Sequence, residues 1–360
     1  MNRLFIHILF LFLAVTPTLA CTSAVVSARA SADGRPMLWK HRDTGTEHNF
    51  IEKIPATEGA HSFIALFNGG DRSLSEAWAG YNDAGFGIMN TASYNLMPDT
   101  ATIKDREALV MSAALRSCTT LADFERLLDT LPRPMGVQAN FGVIDAAGGA
   151  AYFEVDDYKY LRFDADSTDT GVLFRTNHSL SGTHPGGMGY IRYDNAVSIL
   201  APEVAASTLT PQSFTEKASR SFYHSIFDKD FLSDTTLRWA VDQDFIPRNS
   251  SAASIVIVGV NPDMAATDGV MWCALGYPPC AVATPATLDR VPDILRPVAI
   301  GFRSPACDEA IRHKRLAFPI EKGSGPRYVD LDYLRKISAL THAQALENYR
   351  CFYNNSKTEY

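Results

Sequence analysis

Residues 21–43 read CTSAVVSARASADGRPMLWKHRD. Small and β-branched residues at 22–26, a turn centred on Asp33-Gly34 and a second apolar run at 36–41 describe a β-hairpin with Cys21 at the tip of its first strand. What precedes that cysteine gives it its importance. Residues 1–20 have the three parts of an export leader: Arg3 near the start, an apolar run from 4 to 15, and Thr18-Leu19-Ala20 before the cysteine. Removal of the leader makes Cys21 the first residue, carrying both a thiol and a free α-amine. Nucleophile and base then come from a single residue, which suits it to cleaving an amide through a covalent intermediate.

The leader's apolar run is too short to cross a bilayer, which takes about 20 residues. No stable membrane insertion is expected, and the location is read as exported, either periplasmic or secreted. A lipid-modified Cys21 on a surface-anchored binding protein is the alternative from another class, although a lipobox wants an aliphatic residue where Thr18 stands. Residues 21–360 are expected to form one catalytic domain, long enough to bury a full core. With 46% hydrophobic and 20% charged residues the chain has the composition of a globular protein rather than a disordered one. Formal net charge is −7, and loss of Arg3 with the leader takes it to −8; no Lys/Arg cluster opposes that balance, so nucleic acid is excluded as a partner. The nine histidines form no HExxH and the six cysteines no CxxC, so neither a metal nor any other cofactor is read from them. Export allows disulfides. Cys273 with Cys280, around the turn GYPP, is the most favoured pair, and two buried free thiols are the other reading.

Two further short apolar runs, 63–67 and 87–90, extend the hairpin's sheet. At 107–131 the period changes: Ala108, Leu109, Met111, Ala114 and Leu115 share one helical face, and Thr120 opens a second helix through Phe124, Leu127 and Leu128. Strand signals return at 140–145, 151–155, 172–177 and 254–260, more weakly at 281–284, with helical stretches near 191–200 and 330–350. Strands and helices alternate without a composition break. The architecture implied is α+β: a four-layer αββα sandwich of two antiparallel sheets with outer helices.

The opening stretch, with CTS, ADG and KHRD in that order, resembles the N-terminal-nucleophile (Ntn) hydrolases of the cysteine type, among them choloylglycine hydrolases, penicillin V acylases and acyl-CoA:6-aminopenicillanate acyltransferases. The resemblance continues through GYNDAGFGIMNTASYN at 80–95, ANFGVIDAAGGAAYFEV at 139–155 and RTNHS at 175–179. It implies a hydrolase acting on linear amide C–N bonds, with Cys21 as nucleophile and Asp43 as the carboxylate orienting its amine. It implies also an oxyanion hole formed by the backbone N–H of Asn90 and the side-chain amide of Asn177. Lys40 stands where bile-salt hydrolases carry an arginine, exchanging a planar fork for a point charge; Arg42 is the neighbour that would take over. Arg192, in GYIRYDNA, lies near the family's arginine after its TN motif, with a surface arginine at a helix start as the other reading. Asn82 reads as a turn residue. A Cys21/His178 dyad is the weaker alternative, since the amine already fills the base's role.

The partners implied are a small-molecule amide substrate and a signal peptidase; a homo-oligomer is compatible with the sequence. A dipeptidase or an acyltransferase of the same superfamily attacks the same kind of thioester, and residues alone do not separate these from a hydrolase.

Overall fold

The computed structural model describes residues 20–96, 102–320 and 327–355; residues 1–19 of the expected leader lie outside them. In chain order the elements are β1 (Thr22–Val26), β2 (Met37–Asp43), β3 (Asn49–Ile54), β4 (Phe63–Asn68), β5 (Ala79–Asn82), β6 (Gly87–Ala92), α1 (Glu107–Ser117), α2 (Leu121–Thr130), β7 (Ala139–Ile144), β8 (Ala150–Val155), β9 (Tyr160–Asp164) and β10 (Val172–Arg175). There follow α3 (Tyr190–Ala206), the short strands β11 (Tyr223–His224), β12 (Lys229–Asp230) and β13 (Trp239–Asp242), then β14 (Ser251–Val258), β15 (Val270–Leu275), β16 (Thr284–Ala286), α4 (Pro305–Ala317), β17 (Arg327–Asp330) and α5 (Leu331–Asn355). Six strands in the order β10-β1-β2-β14-β15-β16 form one antiparallel sheet, and β3 to β9 form a seven-stranded antiparallel meander.

Strand alternation sorts the apolar residues into layers. Val25, Leu38, Ile255 and Ile257 of the first sheet meet Ile64, Leu66, Met89, Ile144 and Tyr152 of the second, filling the space between the sheets. Met37, Trp39, Val256 and Trp272 point the other way, against Ala196 and Leu200 of α3 and Tyr349 of α5. Phe63, Phe67, Ile88 and Phe141 pack outward onto Met111 and Leu115 of α1 and Phe124 of α2. The four layers are therefore α3/α5, sheet, sheet, α1/α2, as the sequence implies. Helix α2 starts where expected because Thr120 and Asp123 form a reciprocal capping box. Gly142 permits the close approach of the sheets: a Cβ there would lie 2.9 Å from Val25 Cγ2.

Two expectations change. The runs at 63–67 and 87–90 do not extend the hairpin's sheet; they are β4 and β6 of the second, because the chain crosses over after Asp43 and β3 begins the meander. Cys273 and Cys280 are both free: Cys273 faces the inter-sheet core while Cys280 belongs to the cluster around Tyr277 and Leu334, so their side chains serve different layers. Asn82 is a turn residue by its side chain, accepting from Ala84 and Phe86 N–H and donating to Leu115 and Cys118 carbonyls, whereas the positive φ of that turn belongs to Gly85.

Candidate active site

The register of the first sheet builds the site. β1 pairs Thr22 with His41 of β2 and Ser23 with Arg175 of β10. Continued outward, those ladders set Cys21 opposite Arg42 on one side and Asn177 on the other. Its backbone nitrogen, an amide joined to Ala20 in this chain, donates to Asn177 Oδ1 at 2.8 Å. Arg192, reaching in from α3, donates through Nη2 to the same oxygen at 2.8 Å, and through Nη1 to Cys21 O at 2.6 Å and Thr22 Oγ1 at 2.9 Å. A guanidinium and an asparagine thus fix both ends of the Cys21 backbone. Asn177 Nδ2 donates to Ala92 O at 2.9 Å, which orients the amide with its oxygen toward the cysteine.

Alternation decides what surrounds the thiol. On β1, Val25 faces the inter-sheet space, and so by the period of two do Ser23 and Cys21; on β2, Leu38, Lys40 and Arg42 face the same way. Ser23 Oγ bridges the sheets to Tyr152 OH at 2.7 Å. The Cys21 sulfur is buried and lies 3.9 Å from Asp43 O. Lys40 Nζ sits in the fork where β5 and β6 part company, donating to Trp78 O at 2.7 Å and Asn90 Oδ1 at 2.6 Å. Arg42 Cζ lies over the Trp78 ring, 4.7 Å from its centroid, and its Nη2 donates to Asn68 Oδ1 at 2.8 Å. Among the described residues none of Lys40, Arg42 and Arg192 forms an ion pair with a carboxylate; each is bonded to neutral oxygens.

Burial without a counter-ion depresses these cations. Lys40 falls to about 7, mainly through burial, with the charge interaction with Cys21 opposing and Arg42 adding to the drop. Arg42 and Arg192 fall to about 10, again through burial, and both stay charged at neutral pH. The phenol of Tyr94, raised by burial and then by the field of Cys21, stays protonated.

Asp43 stands on the opposite face of β2 from Lys40 and Arg42. Its carboxylate takes Arg248 on one oxygen and Ser251 Oγ, at 2.6 Å, on the other. The Cys21 nitrogen accordingly has Asn177 rather than the Asp43 carboxylate as its partner. His41 shares the Asp43 face, bonds Ser251 Oγ at 2.9 Å and is pushed by burial to about 4, so it is neutral and turned away from the thiol. His178 bonds Thr176 and stacks on Tyr190 at 4.2 Å, engaged elsewhere than at the sulfur.

The motifs from the middle of the sequence meet around the turn that carries Asn177. Asn140 Nδ2 donates to Thr176 O at 3.4 Å and His178 O at 3.2 Å, and its Oδ1 accepts from Ser179 Oγ at 2.5 Å. Asn95 clasps Ser179 by both main-chain groups at 2.7 and 2.9 Å. The buried Glu154–Arg175 ion pair at 2.7 Å also receives the N–H groups of Leu180 and Ser181, at 2.9 Å each. The turn that carries Asn177 is thus held by bonds spanning 21 to 84 positions of the chain, brought together by strand order.

All seven sequence-derived candidates, Cys21, Lys40, Arg42, Asp43, Asn90, Asn177 and Arg192, fall in this one region. Sequence reading passed over Trp78, Tyr94, Arg248 and Ser251. Arg248 stands in no motif and meets Asp43 across 205 residues, so nothing local marks it; Trp78, just ahead of the GYN run, carried at most the hint of an aromatic beside a quoted motif. A cleft of about 750 Å³ lies elsewhere, lined by Glu216, Arg220, Arg335 and His342, and shares no residue with the cluster.

Replacing Asn177 with alanine removes the acceptor shared by Cys21 and Arg192. The expected result is a loss of about 10²-fold in kcat/KM, the scale on which misplacing a reacting group costs rate; equal rates in steady-state assays of the two mature proteins would remove Asn177 from the machinery.

No family model and no curated protein matches the sequence. Among solved structures, a variant of conjugated bile acid hydrolase from Clostridium perfringens is similar at 10% identity and a TM-score of 0.44, over 76% of this chain and 94% of that one. The Caenorhabditis elegans ortholog of N-acylethanolamine-hydrolyzing acid amidase is similar at 11% identity and 0.42, over 66% and 92%. Penicillin V acylase from Agrobacterium tumefaciens is similar at 12% identity and 0.43, over 75% and 87%. Likeness at that level leaves activity to be argued from the residues themselves.

Proposed function

We propose that this protein is exported to the periplasm or secreted, loses residues 1–20 to a signal peptidase, and then works as a cysteine Ntn hydrolase on linear amide C–N bonds of small N-acyl amines or N-acyl amino acids. The observation that carries the reading is the Cys21 nitrogen bonded to Asn177 Oδ1 while its thiol faces the buried Lys40 and Arg42. Once the leader is removed, the α-amine and the thiol belong to one residue, so the amine is within reach of the thiol proton.

In the proposed cycle the amine takes the thiol proton as sulfur attacks the carbonyl carbon. The tetrahedral oxyanion falls to the Asn90 N–H and the Asn177 amide, the latter sharing its bond to Ala92 O. Collapse breaks the C–N bond, the ammonium gives its proton to the leaving amine, and a thioester remains on Cys21. Water then attacks, passing a proton to the amine, and the acid departs as the sulfur recovers its proton. The Asp43–Arg248 pair on the far face keeps β2 in register with β14 and holds Asp43 O beside the sulfur.

Intact mass of the mature protein tests this directly. The expected chain begins at Cys21 unmodified and gains, on mixing with substrate at low pH, one acyl mass released by hydroxylamine. A different first residue, or a lipid adduct of several hundred daltons on the cysteine, removes the mechanism's starting point. An added primary amine acceptor separates hydrolase from acyltransferase by the product formed.

A further inference from the structure

The cleft between α3, the β11–β12 hairpin and α5 holds about 750 Å³ and shares no residue with the cluster around Cys21. Sites for small molecules run from about 300 to 1,000 Å³. Glu216 lines it, carried by the turn Ser213–Lys217, which is wound as a π-helix. Turns of that width are rare and recur at functional sites. The Glu216 side chain is 4% exposed; its Oε2 takes Arg220 Nε at 2.9 Å and His342 Nδ1 at 2.8 Å, whereas Oε1 has no hydrogen-bond partner among the described residues. A carboxylate oxygen buried and unanswered is costly unless a donor meets it.

The charges of the lining decide which kind of ligand brings that donor. Its three cations are already engaged. Arg220 donates onward to Thr341 Oγ1 at 2.9 Å and Ala281 O at 2.6 Å, Arg335 to Asp332 at 2.6 Å and Leu237 O at 2.7 Å, and Lys217 to Glu203 at 2.9 Å. The acids are answered less fully. Among the described residues Asp228 accepts from the Tyr223 hydroxyl at 2.9 Å, and Asp230 from the Leu232 N–H at 3.0 Å and the Ser233 hydroxyl at 2.6 Å, all of them neutral donors. Acceptors are therefore left over and cationic donors are not, so the complement of this surface is positively charged and bears N–H groups. Ile199, Leu232 and Ala339 add apolar wall for the rest of such a molecule.

We infer that this cleft is a second binding site, separate from the catalytic one, for a small organic ammonium with an apolar body, held by Glu216 with Asp228 and Asp230. Electrostatics keeps the two sites apart. The buried guanidinium groups of Arg42 and Arg192 stay charged near Cys21 and repel an ammonium, while the cleft attracts it.

Calorimetric titration of the purified protein tests this with three probes of one shape: phenethylammonium, neutral 2-phenylethanol and anionic 3-phenylpropionate. The ammonium is expected to bind one to one and at least about tenfold more tightly than the alcohol, the scale of a charge-assisted hydrogen bond, with the propionate weakest. In Glu216→Gln the preference for the ammonium should fall toward one. Asp230→Asn, at a half-buried position that pairs with no buried cation, should lower it several-fold and serves if Glu216→Gln fails to fold. Protein whose Cys21 has been blocked with iodoacetamide should bind the ammonium as the unblocked protein does. No binding of the ammonium, equal binding of the alcohol, tighter binding of the propionate, or a preference untouched by either substitution overturns the assignment. Binding that disappears when Cys21 is blocked places the ammonium at the catalytic cluster and overturns it equally.

Discussion

Replacing Cys21 with alanine is expected to lower amide turnover by at least about 10⁴-fold, the scale on which removal of a covalent nucleophile acts, with little change in thermal unfolding. The two readouts separate because of what the side chain touches. Among the described residues the sulfur's one hydrogen-bond contact is the long 3.9 Å approach to Asp43 O, while the bonds that fix the backbone, from Asn177 and Arg192, involve main-chain atoms that alanine keeps. Truncation leaves only a small hollow between the sheets. Serine should preserve the fold as well and recover almost none of the rate, since its hydroxyl is far weaker as a nucleophile near neutral pH. Steady-state rates and melting curves on the same mature preparations check this. A Cys21→Ala protein that still turns over amide at an appreciable fraction of the wild-type rate has its chemistry somewhere else.

What the sequence made legible was local or periodic. The hairpin from Cys21 to Asp43 follows from β-branched residues around a DG turn, and α2 follows from Thr120 with Asp123, because the capping bonds span three residues. Assignment of strands to sheets was not legible. Nothing in residues 63–67 or 87–90 says that they pair with each other's neighbours rather than with the hairpin, since an apolar strand buried on both faces carries no mark of which sheet it joins. The split at the site has the same origin. Lys40, Arg42 and Asp43 look equivalent in KHRD, yet the period of two sends Lys40 and Arg42 to the thiol's side and Asp43 to Arg248 and Ser251, partners more than 200 residues away. Which face is which depends on the register of β1 against β2, which the long irregular connection between them does not announce.

That parity places the second large effect at Lys40. Lys40→Met is expected to cost about 10²- to 10³-fold in kcat/KM near pH 6, because it removes a buried cation from the face of β2 that the nucleophile shares, where negative charge develops as the sulfur attacks. The pH dependence carries the signature. Burial lowers the ammonium to about 7, so it is charged below that pH and loses its charge as pH rises through it. The Lys40-dependent part of the rate is therefore full on the acid side and fades above pH 7. Lys40→Arg keeps its charge throughout, and the descending limb of its kcat/KM profile should move upward by at least about one pH unit. Stability runs the other way. Between about 7 and 10.5 the unfolded lysine holds a proton that the folded one has released, so unfolding free energy gains from this group as pH rises across that window and the gain is absent from Lys40→Met. A merely structural lysine would give the stability signature without the activity limb. Profiles of kcat/KM against pH for the wild type, Lys40→Arg and Lys40→Met, measured beside urea unfolding at pH 7 and 9.5, separate the two. A wild-type descending limb that stays in place when arginine replaces Lys40 means that the thiol takes its activation from Arg42 or from its own amine instead.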